Sequence, residues 1–343
     1  MKMKKLILIA AALICTLIIT SSKPSAAVIP ETETVAPNAP DAPESADTEP
    51  EITMEEPDPQ ADLHETVAEW IRKIAQEHKL VPWQEATFHI EPLGPGTHGW
   101  LVHVLDQQTP IGYLIIHALE DGGFRLAEYG VGEQPIFDLE TLQESLVQLG
   151  MIDSQVTLDQ LSTMLIAPSE PESAPADADG VKRPLVIQRH YLYPFAAYWK
   201  VQDKEKKITA YFDAFTGEQY PLSKDPVSKS DVNINYVSTV LTALKDRMQL
   251  PKFDPYEDLG WIVEEPIRVS SIDDVIEPLR HKQRLTLTVE LYDDLVLLPY
   301  PIIGYAQWEK AEAYLLIYSE GLRYVPLIDA VRYGNIYLEQ EEQ

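Results

Sequence analysis

Alternating apolar and polar positions predict antiparallel β-structure along most of the chain. The clearest case is Arg284–Tyr292, where leucine or valine occupies every second position and threonine or glutamate lies between them. Turns rich in glycine and polar residues separate the strand candidates and indicate hairpins and short meanders. The other candidates are Thr87–Glu91, Trp100–Leu105, Ile111–Leu119, Phe124–Tyr129, Leu185–Tyr191, Ala197–Gln202, Ile208–Phe212, Ile302–Lys310, Ala313–Tyr318 and Leu322–Val325.

Apolar residues at helical spacing predict four helices among these strands. The helices begin at Asp62, at Asp138, at Thr157, and at Asn235 or Ser238. The first keeps its apolar residues on one face and ends before Pro82, while the last runs to Met248 and is closed by Pro251. Helices packed on antiparallel sheets define an α+β protein, which is the fold class that the sequence predicts.

Charge and proline content divide the chain into segments. The formal net charge is −28, and the stretch from Val28 to Asp62 holds eleven acidic residues and seven prolines without a lysine or arginine. Such a composition cannot bury enough apolar surface to offset chain entropy, so we predict a disordered acidic tether at 28–61 and a similar linker at 168–183. We expect no binding of nucleic acid, because phosphate recognition needs a basic surface.

Between these segments we expect two small α+β units, each a helix packed on antiparallel sheet. The first spans 62–167 and the second 184–338, with a short acidic tail at 339–343. Within the second unit, the sequence predicts a hairpin at 198–220 and a C-terminal antiparallel sheet at 284–327. With 45% hydrophobic residues, the chain has the material for such cores.

The first 27 residues have the composition of an export signal. Lysines precede the apolar run Leu6–Thr20, and the small residues Ser25–Ala27 fit a cleavage site. We therefore expect an extracellular or cell-surface protein, with an uncleaved membrane anchor as the alternative to a signal peptide. The one cysteine, Cys15, lies in this run, so cleavage leaves no thiol for disulfides, zinc–thiolate sites or a cysteine nucleophile.

The predicted hairpin at 198–220 ends in Tyr211-Phe212-Asp213-Ala214-Phe215-Thr216-Gly217-Glu218. This octapeptide resembles the ending of PepSY-type modules, in which a tyrosine and a hydrophobic residue precede Asp-Ala-x-Thr-Gly-Glu. Those modules are small α+β units found in propeptides of secreted bacterial peptidases and in other exported bacterial proteins. The resemblance implies a cystatin-like or PepSY-like shape and a non-catalytic module that binds or restrains a partner.

Two groups of residues are candidates for chemistry. The register of the predicted strands places His117 opposite residue 99 or 100, close to His98, and such an imidazole pair can bind a metal or sense pH. The alternative is that both are ordinary strand residues. Since acidic ligands at suitable spacing do not accompany them, we expect no metal and no cofactor. Aromatic residues near the C-terminus are either sheet core or a stacking surface for peptide or glycan: Tyr305, Trp308, Tyr314, Tyr318 and Tyr324.

The two units show a weak sequence similarity to each other. Tyr113–Ile116 followed by Gly123–Arg125 parallels Tyr314–Ile317 followed by Gly321–Arg323. Either the two hairpins converge through β-propensity, or the units are related modules.

Taken together, these features predict an exported bacterial protein without enzymatic activity that binds or restrains another extracytoplasmic protein, for instance a peptidase. Two alternatives stay open: a hydrolase without a recognisable local motif, and a cell-wall or glycan-binding module. Contact with a membrane is expected only through residues 1–27, if they are not cleaved.

Overall fold

Most strands of the chain belong to one large antiparallel sheet. The computed structural model describes residues 59–94, 98–165, 185–226, 236–257 and 259–339, and these described residues form one compact unit. The predicted leader, the acidic tether before Pro59 and the whole acidic linker lie outside the described residues, while residues 59–61, predicted as part of the tether, belong to the first helix. The predicted α+β class is confirmed, with more residues in strands than in helices.

Fourteen strands and five α-helices are present in the described part of the chain. The helices are α1 (Pro59–His78), α2 (Leu139–Gln148), α3 (Leu158–Ser162), α4 (Asp273–Arg280) and α5 (Leu327–Tyr333). The strands are β1 (Thr87–Pro92), β2 (Gly99–Asp106), β3 (Thr109–Ala118), β4 (Phe124–Val131), β5 (Leu185–Tyr193), β6 (Ala196–Asp203), β7 (Ile208–Asp213), β8 (Gln219–Tyr220), β9 (Leu244–Gln249), β10 (Leu285–Leu291), β11 (Val296–Trp308), β12 (Ala313–Tyr318), β13 (Leu322–Pro326) and β14 (Gly334–Leu338).

The large sheet has the order β1-β2-β3-β4-β13-β12-β11-β10-β14, and β9 also pairs with β11. A smaller sheet has the order β5-β6-β7-β8. Helix α1 packs on one face of the large sheet. The smaller sheet packs with α2 and α3 on the other face, and α4 covers that same face near β10 and β11.

The pairing of β4 with β13 joins the two expected α+β units into one sheet. Arg323 pairs with Gly130 and Tyr324 with Tyr129, whose rings stack 4.5 Å apart. Tyr324 belongs to the core beneath α1, whereas its neighbour Val325 packs in the core with α4, so the two helices lie on opposite faces. A two-fold axis through this antiparallel seam would keep both helices on one face. The halves are therefore not related by such an axis.

The predicted helix ending at Met248 is wrong. Residues 236–243 have no regular structure, and Leu244–Gln249 is strand β9. Strand β11 continues beyond the stretch that pairs with β10. The backbone groups of Gly304–Trp308 therefore need other hydrogen-bond partners, and β9 pairs with β11 there. Tertiary hydrogen bonding thus outweighs the helical spacing of the apolar residues, of which Val237 is 79% exposed.

A buried ion pair lies at the seam. Arg323 Nη2 lies 2.9 Å from Glu128 Oε2, and both side chains are at most 1% exposed. Tyr113 donates to Glu128 Oε1 at 2.7 Å, Tyr191 donates to Oε2 at 3.2 Å, and Arg323 also donates to the carbonyl oxygen of Pro194. Burial raises the pKa of Glu128, and the Arg323 guanidinium opposes that rise. The pair thereby links β4, β13 and the smaller sheet.

Removing one partner of this pair is expected to be strongly destabilising. Glu128→Leu leaves the Arg323 charge buried without its carboxylate, which costs about 3–5 kcal/mol. The double variant Glu128→Leu with Arg323→Met removes both charges and is expected to recover most of that loss. Urea unfolding of the three proteins measures the difference. A single variant within about 1 kcal/mol of the parent would contradict the assignment of the seam.

A second prediction concerns His78, which lies buried beneath the sheet with Nε2 3.0 Å from the Tyr129 hydroxyl. Burial, and then the Arg247 charge, lower the pKa of His78 from 6.5 to about 4. The unfolded chain binds this proton near pH 6.5, so stability is present above that pH and is lost as pH falls toward 4. Between pH 6.5 and 5 the loss is on the order of 2 kcal/mol.

The variant His78→Gln can still bond to Tyr129 but does not titrate. Between pH 6.5 and pH 5, we expect the unfolding free energy of this variant to fall by about 2 kcal/mol less than that of the parent, because the variant has no histidine at this position to protonate. Urea unfolding at pH 6.5 and pH 5 tests this. His64→Gln is the matched control, because His64 is an exposed histidine of the same helix. If the unfolding free energy of His78→Gln fell with pH as much as that of the parent, the lowered pKa of His78 would be contradicted.

Candidate functional site

A groove of about 830 Å³ opens between the smaller sheet and the C-terminal part of the large sheet. Four stretches that are distant in the sequence line it, together with Arg284: 213–220, 252–257, 298–301 and 318–320. We call it the tyrosine groove, after Tyr220, Tyr256, Tyr300 and Tyr318 in its wall. The octapeptide that the sequence singled out thus contributes to the groove.

The wall after β7 is a turn fixed by Asp213. Its Oδ1 accepts hydrogen bonds from the backbone N–H of Phe215 at 2.9 Å and of Thr216 at 2.7 Å, and the Tyr220 hydroxyl donates to Oδ2. Gly217 has φ +68°, which glycine adopts without cost. A Cβ at Gly217 would lie 2.6 Å from Ser145 Oγ, so the turn is in close contact with α2. Asp213 and Gly217 therefore have structural roles here.

The opposite wall is formed by 252–257, after β9. Tyr256 is 63% exposed, which makes its ring the most accessible aromatic surface of the groove, while Phe253 and Tyr318 are half-buried. Pro255 is buried and its carbonyl oxygen accepts from Trp261 Nε1 at 2.8 Å. The backbone N–H of Tyr256 donates to Asp254 Oδ1 at 2.8 Å. These bonds fix the loop that carries the exposed tyrosine.

Cations already lie against two aromatic rings of the groove. Lys252 Nζ is 4.4 Å from the ring centroid of Tyr318 and 3.2 Å from its hydroxyl oxygen. The guanidinium of Arg284 lies 5.4 Å from the ring centroid of Phe253. Both distances are within the range of cation–π attraction, so aromatic rings in this groove accept positive charge.

Exposed carboxylates outnumber the cations at the groove. Glu218, Asp254, Glu257 and Glu320 are all exposed, against the cations of Lys252 and Arg284. Burial raises the pKa of Tyr256, and the negative charges of Glu218 and Asp254 raise it further. Those two carboxylates line the same groove as Tyr256. The groove can hold a ligand by ring stacking, by charge and by hydrogen bonds.

The five aromatic residues considered as a binding surface are separated by the structure. Tyr305, Trp308, Tyr314 and Tyr324 are at most 6% exposed and pack in the cores of the large sheet. Of the five, Tyr318 alone is half-buried and lines the groove. The other four are covered because both faces of this part of the sheet carry packed elements, so they form no exposed stacking surface.

The histidine pair has the predicted register, because His117 lies opposite Gly99. His98 is exposed, whereas the half-buried ring of His117 lies 5.6 Å from that of Tyr191. Burial, and then the Arg125 charge, lower the pKa of His117 from 6.5 to about 4. The imidazole is therefore neutral at pH 7. Among the described residues, no group of three or more histidine, aspartate, glutamate or cysteine side chains is arranged to hold a metal ion.

The groove wall at 252–257 was not among the predicted site residues. Its signal is the run Lys252-Phe253-Asp254-Pro255-Tyr256-Glu257, in which charged residues and one proline surround two aromatic residues outside any periodic pattern. Arg284 was predicted only as part of a strand, and the buried prolines Pro299 and Pro301 lie outside every predicted element.

No protein-family model, no curated protein and no solved structure matches this chain. Among the described helices, none combines the length and apolar character needed to cross a membrane. A functional interpretation therefore depends on the geometry of the groove.

The close contact at Gly217 gives a testable prediction. Gly217→Ala places a methyl group both in the left-handed region and 2.6 Å from Ser145 Oγ. Gly150 has a similar φ of +65° but open space around it, so Gly150→Ala is the control for backbone strain. We expect about 1 kcal/mol of destabilisation for Gly150→Ala and at least about 1 kcal/mol more for Gly217→Ala. Urea unfolding measures the loss of stability in both variants. Equal losses would show that the turn at Gly217 is not in close contact with α2.

Proposed function

We propose that this chain is an exported bacterial protein that acts without catalysis, by binding or restraining another extracytoplasmic protein through the tyrosine groove. A secreted peptidase is the partner that the resemblance of residues 198–220 to PepSY-type modules implies. Export is part of the proposal and depends on the sequence of residues 1–27.

The observation that carries this proposal is the exposure of Tyr256 in a groove with fixed walls. A large aromatic side chain that is 63% exposed gains favourable burial when a ligand covers it. Tyrosine is enriched among the residues that contribute most to protein–protein binding, because it offers a broad ring and a hydroxyl at low entropic cost.

The rigidity of the groove also supports recognition. Its walls come from two sheets and a loop, and hydrogen bonds to Asp213 and Asp254 fix the turns that carry Thr216, Glu218 and Tyr256. A preformed site loses less conformational entropy on binding than a flexible one. Burial of a partner segment against such a site is therefore a reasonable source of affinity.

The finer likeness to PepSY or cystatin-like modules belongs to this proposal. Helix α2 packs against the turn after β7, and the hairpin β6–β7 forms part of a four-stranded antiparallel sheet. A helix on a small antiparallel sheet is the arrangement expected of such modules. The acidic stretch before α1 would serve as a tether that keeps the folded part away from its attachment point, whereas 168–183 connects α3 to β5 within the folded part.

Site-specific photo-crosslinking tests the proposal. A photoreactive phenylalanine analogue at Tyr256, in the exported chain incubated with envelope extract and culture supernatant, is expected to crosslink one protein. The same analogue at Val81, which is 72% exposed on the short 3₁₀ helix after α1, is the matched control and should not.

A protein crosslinked equally from both positions, or from neither, would contradict the proposal. Retention of the chain on purified cell wall, lost in Tyr256→Ala, would instead favour the glycan-binding alternative. Turnover of a hydrolase substrate panel that is lost in His117→Ala would favour the enzyme.

A further inference from the structure

We infer that the tyrosine groove recognises a basic segment of its partner, and that a lysine or arginine side chain of that segment binds beside Tyr256, Glu218 and Asp254. The inference rests on the proposed function and names the chemistry of the partner.

Charge complementarity gives the sign of the segment. Four exposed carboxylates, Glu218, Asp254, Glu257 and Glu320, face two cations in the groove. Asp213 also lines it, but its carboxylate is occupied by the turn after β7. The groove surface therefore favours an incoming positive charge over a negative one.

The aromatic rings show where such a charge would bind. The ammonium group of Lys252 already lies over the ring of Tyr318, and the guanidinium of Arg284 lies over the ring of Phe253. In the described part of the chain, no lysine or arginine lies over the Tyr256 ring, although the ring is 63% exposed and lines the same groove as Glu218 and Asp254. A cation of the partner would gain both a ring face and a carboxylate there, which is the combination that desolvated cation–π sites use.

The topology excludes one mode of binding. Strand β11 carries the groove residues Leu298–Pro301, and in this stretch β10 pairs along one edge. Pro299 and Pro301 have no N–H to donate to an added strand. Recognition therefore relies on side chains rather than on a partner strand joined to β11, and a volume of about 830 Å³ suits a segment of a few residues.

Panning the full chain against a random twelve-residue peptide library tests the sign of the segment without assuming its sequence. We expect enriched peptides to carry lysine and arginine at least threefold above their frequency in the library. Replacing those residues by glutamine in one enriched peptide is expected to weaken its binding at least tenfold. Enriched peptides without an excess of basic residues would overturn the inference.

Variants of the groove test the position of the charge, using a fluorescein-labelled copy of that enriched peptide. Glu218→Gln and Asp254→Asn are each expected to weaken binding at least threefold and to reduce its sensitivity to salt between 50 and 300 mM NaCl. Tyr256→Phe keeps the ring and should bind like the parent, while Tyr256→Ala should lose at least tenfold. Glu69→Gln, an exposed charge on α1 that does not line the groove, is the control. Urea unfolding checks that each variant is folded.

The outcomes separate the two claims. If photo-crosslinking at Tyr256 captures a protein but panning enriches neutral or acidic peptides, the basic segment is wrong and the proposed function stands. If neither experiment gives a groove-dependent ligand, both fail. Groove-dependent binding of spermine or of soluble cell-wall fragments, with no peptide enriched, would overturn the inference in favour of a small cation or a glycan.

Discussion

The antiparallel pairing of β4 with β13, and the Arg323–Glu128 ion pair beside it, hold the two halves of this protein together. Each half is a meander that ends in one of these strands. The carboxylate of Glu128 neutralises the charge of Arg323 in an interior that water does not reach, and hydrogen bonds from Tyr113 and Tyr191 satisfy the oxygens of that carboxylate.

The seam also positions the groove. The Arg323 guanidinium lies 3.8 Å from the ring centroid of Phe215, within the octapeptide of the turn after β7, and Arg323 donates to the carbonyl oxygen of Pro194. The smaller sheet is thereby fixed against the C-terminal strands, and the space left between them is the tyrosine groove. A structural ion pair and the tyrosine groove therefore depend on the same arrangement.

Local signals predicted much of the fold. The capping box at Thr157, the cap at Asp138 and the alternation of Arg284–Tyr292 each correspond to an observed element, since these signals act within a few residues. The short helices α4 and α5 and strands β9 and β14 were missed, because packing and edge pairing, not propensity, stabilise them. The candidate site was predicted only in part. Its turn carried a motif, whereas the exposure of Tyr256 depended on which aromatic residues the fold would cover.

The sequence alone determined the α+β class, the main strands with their turns, and the acidic character of the chain. These follow from periodicity and composition, which local chemistry dictates. The tertiary structure decided that two meanders share one sheet, that four of five candidate aromatic residues are buried, and that four distant stretches enclose one groove. The reason is physical: strand order and burial depend on contacts between residues far apart in the chain, and these leave no trace in local periodicity.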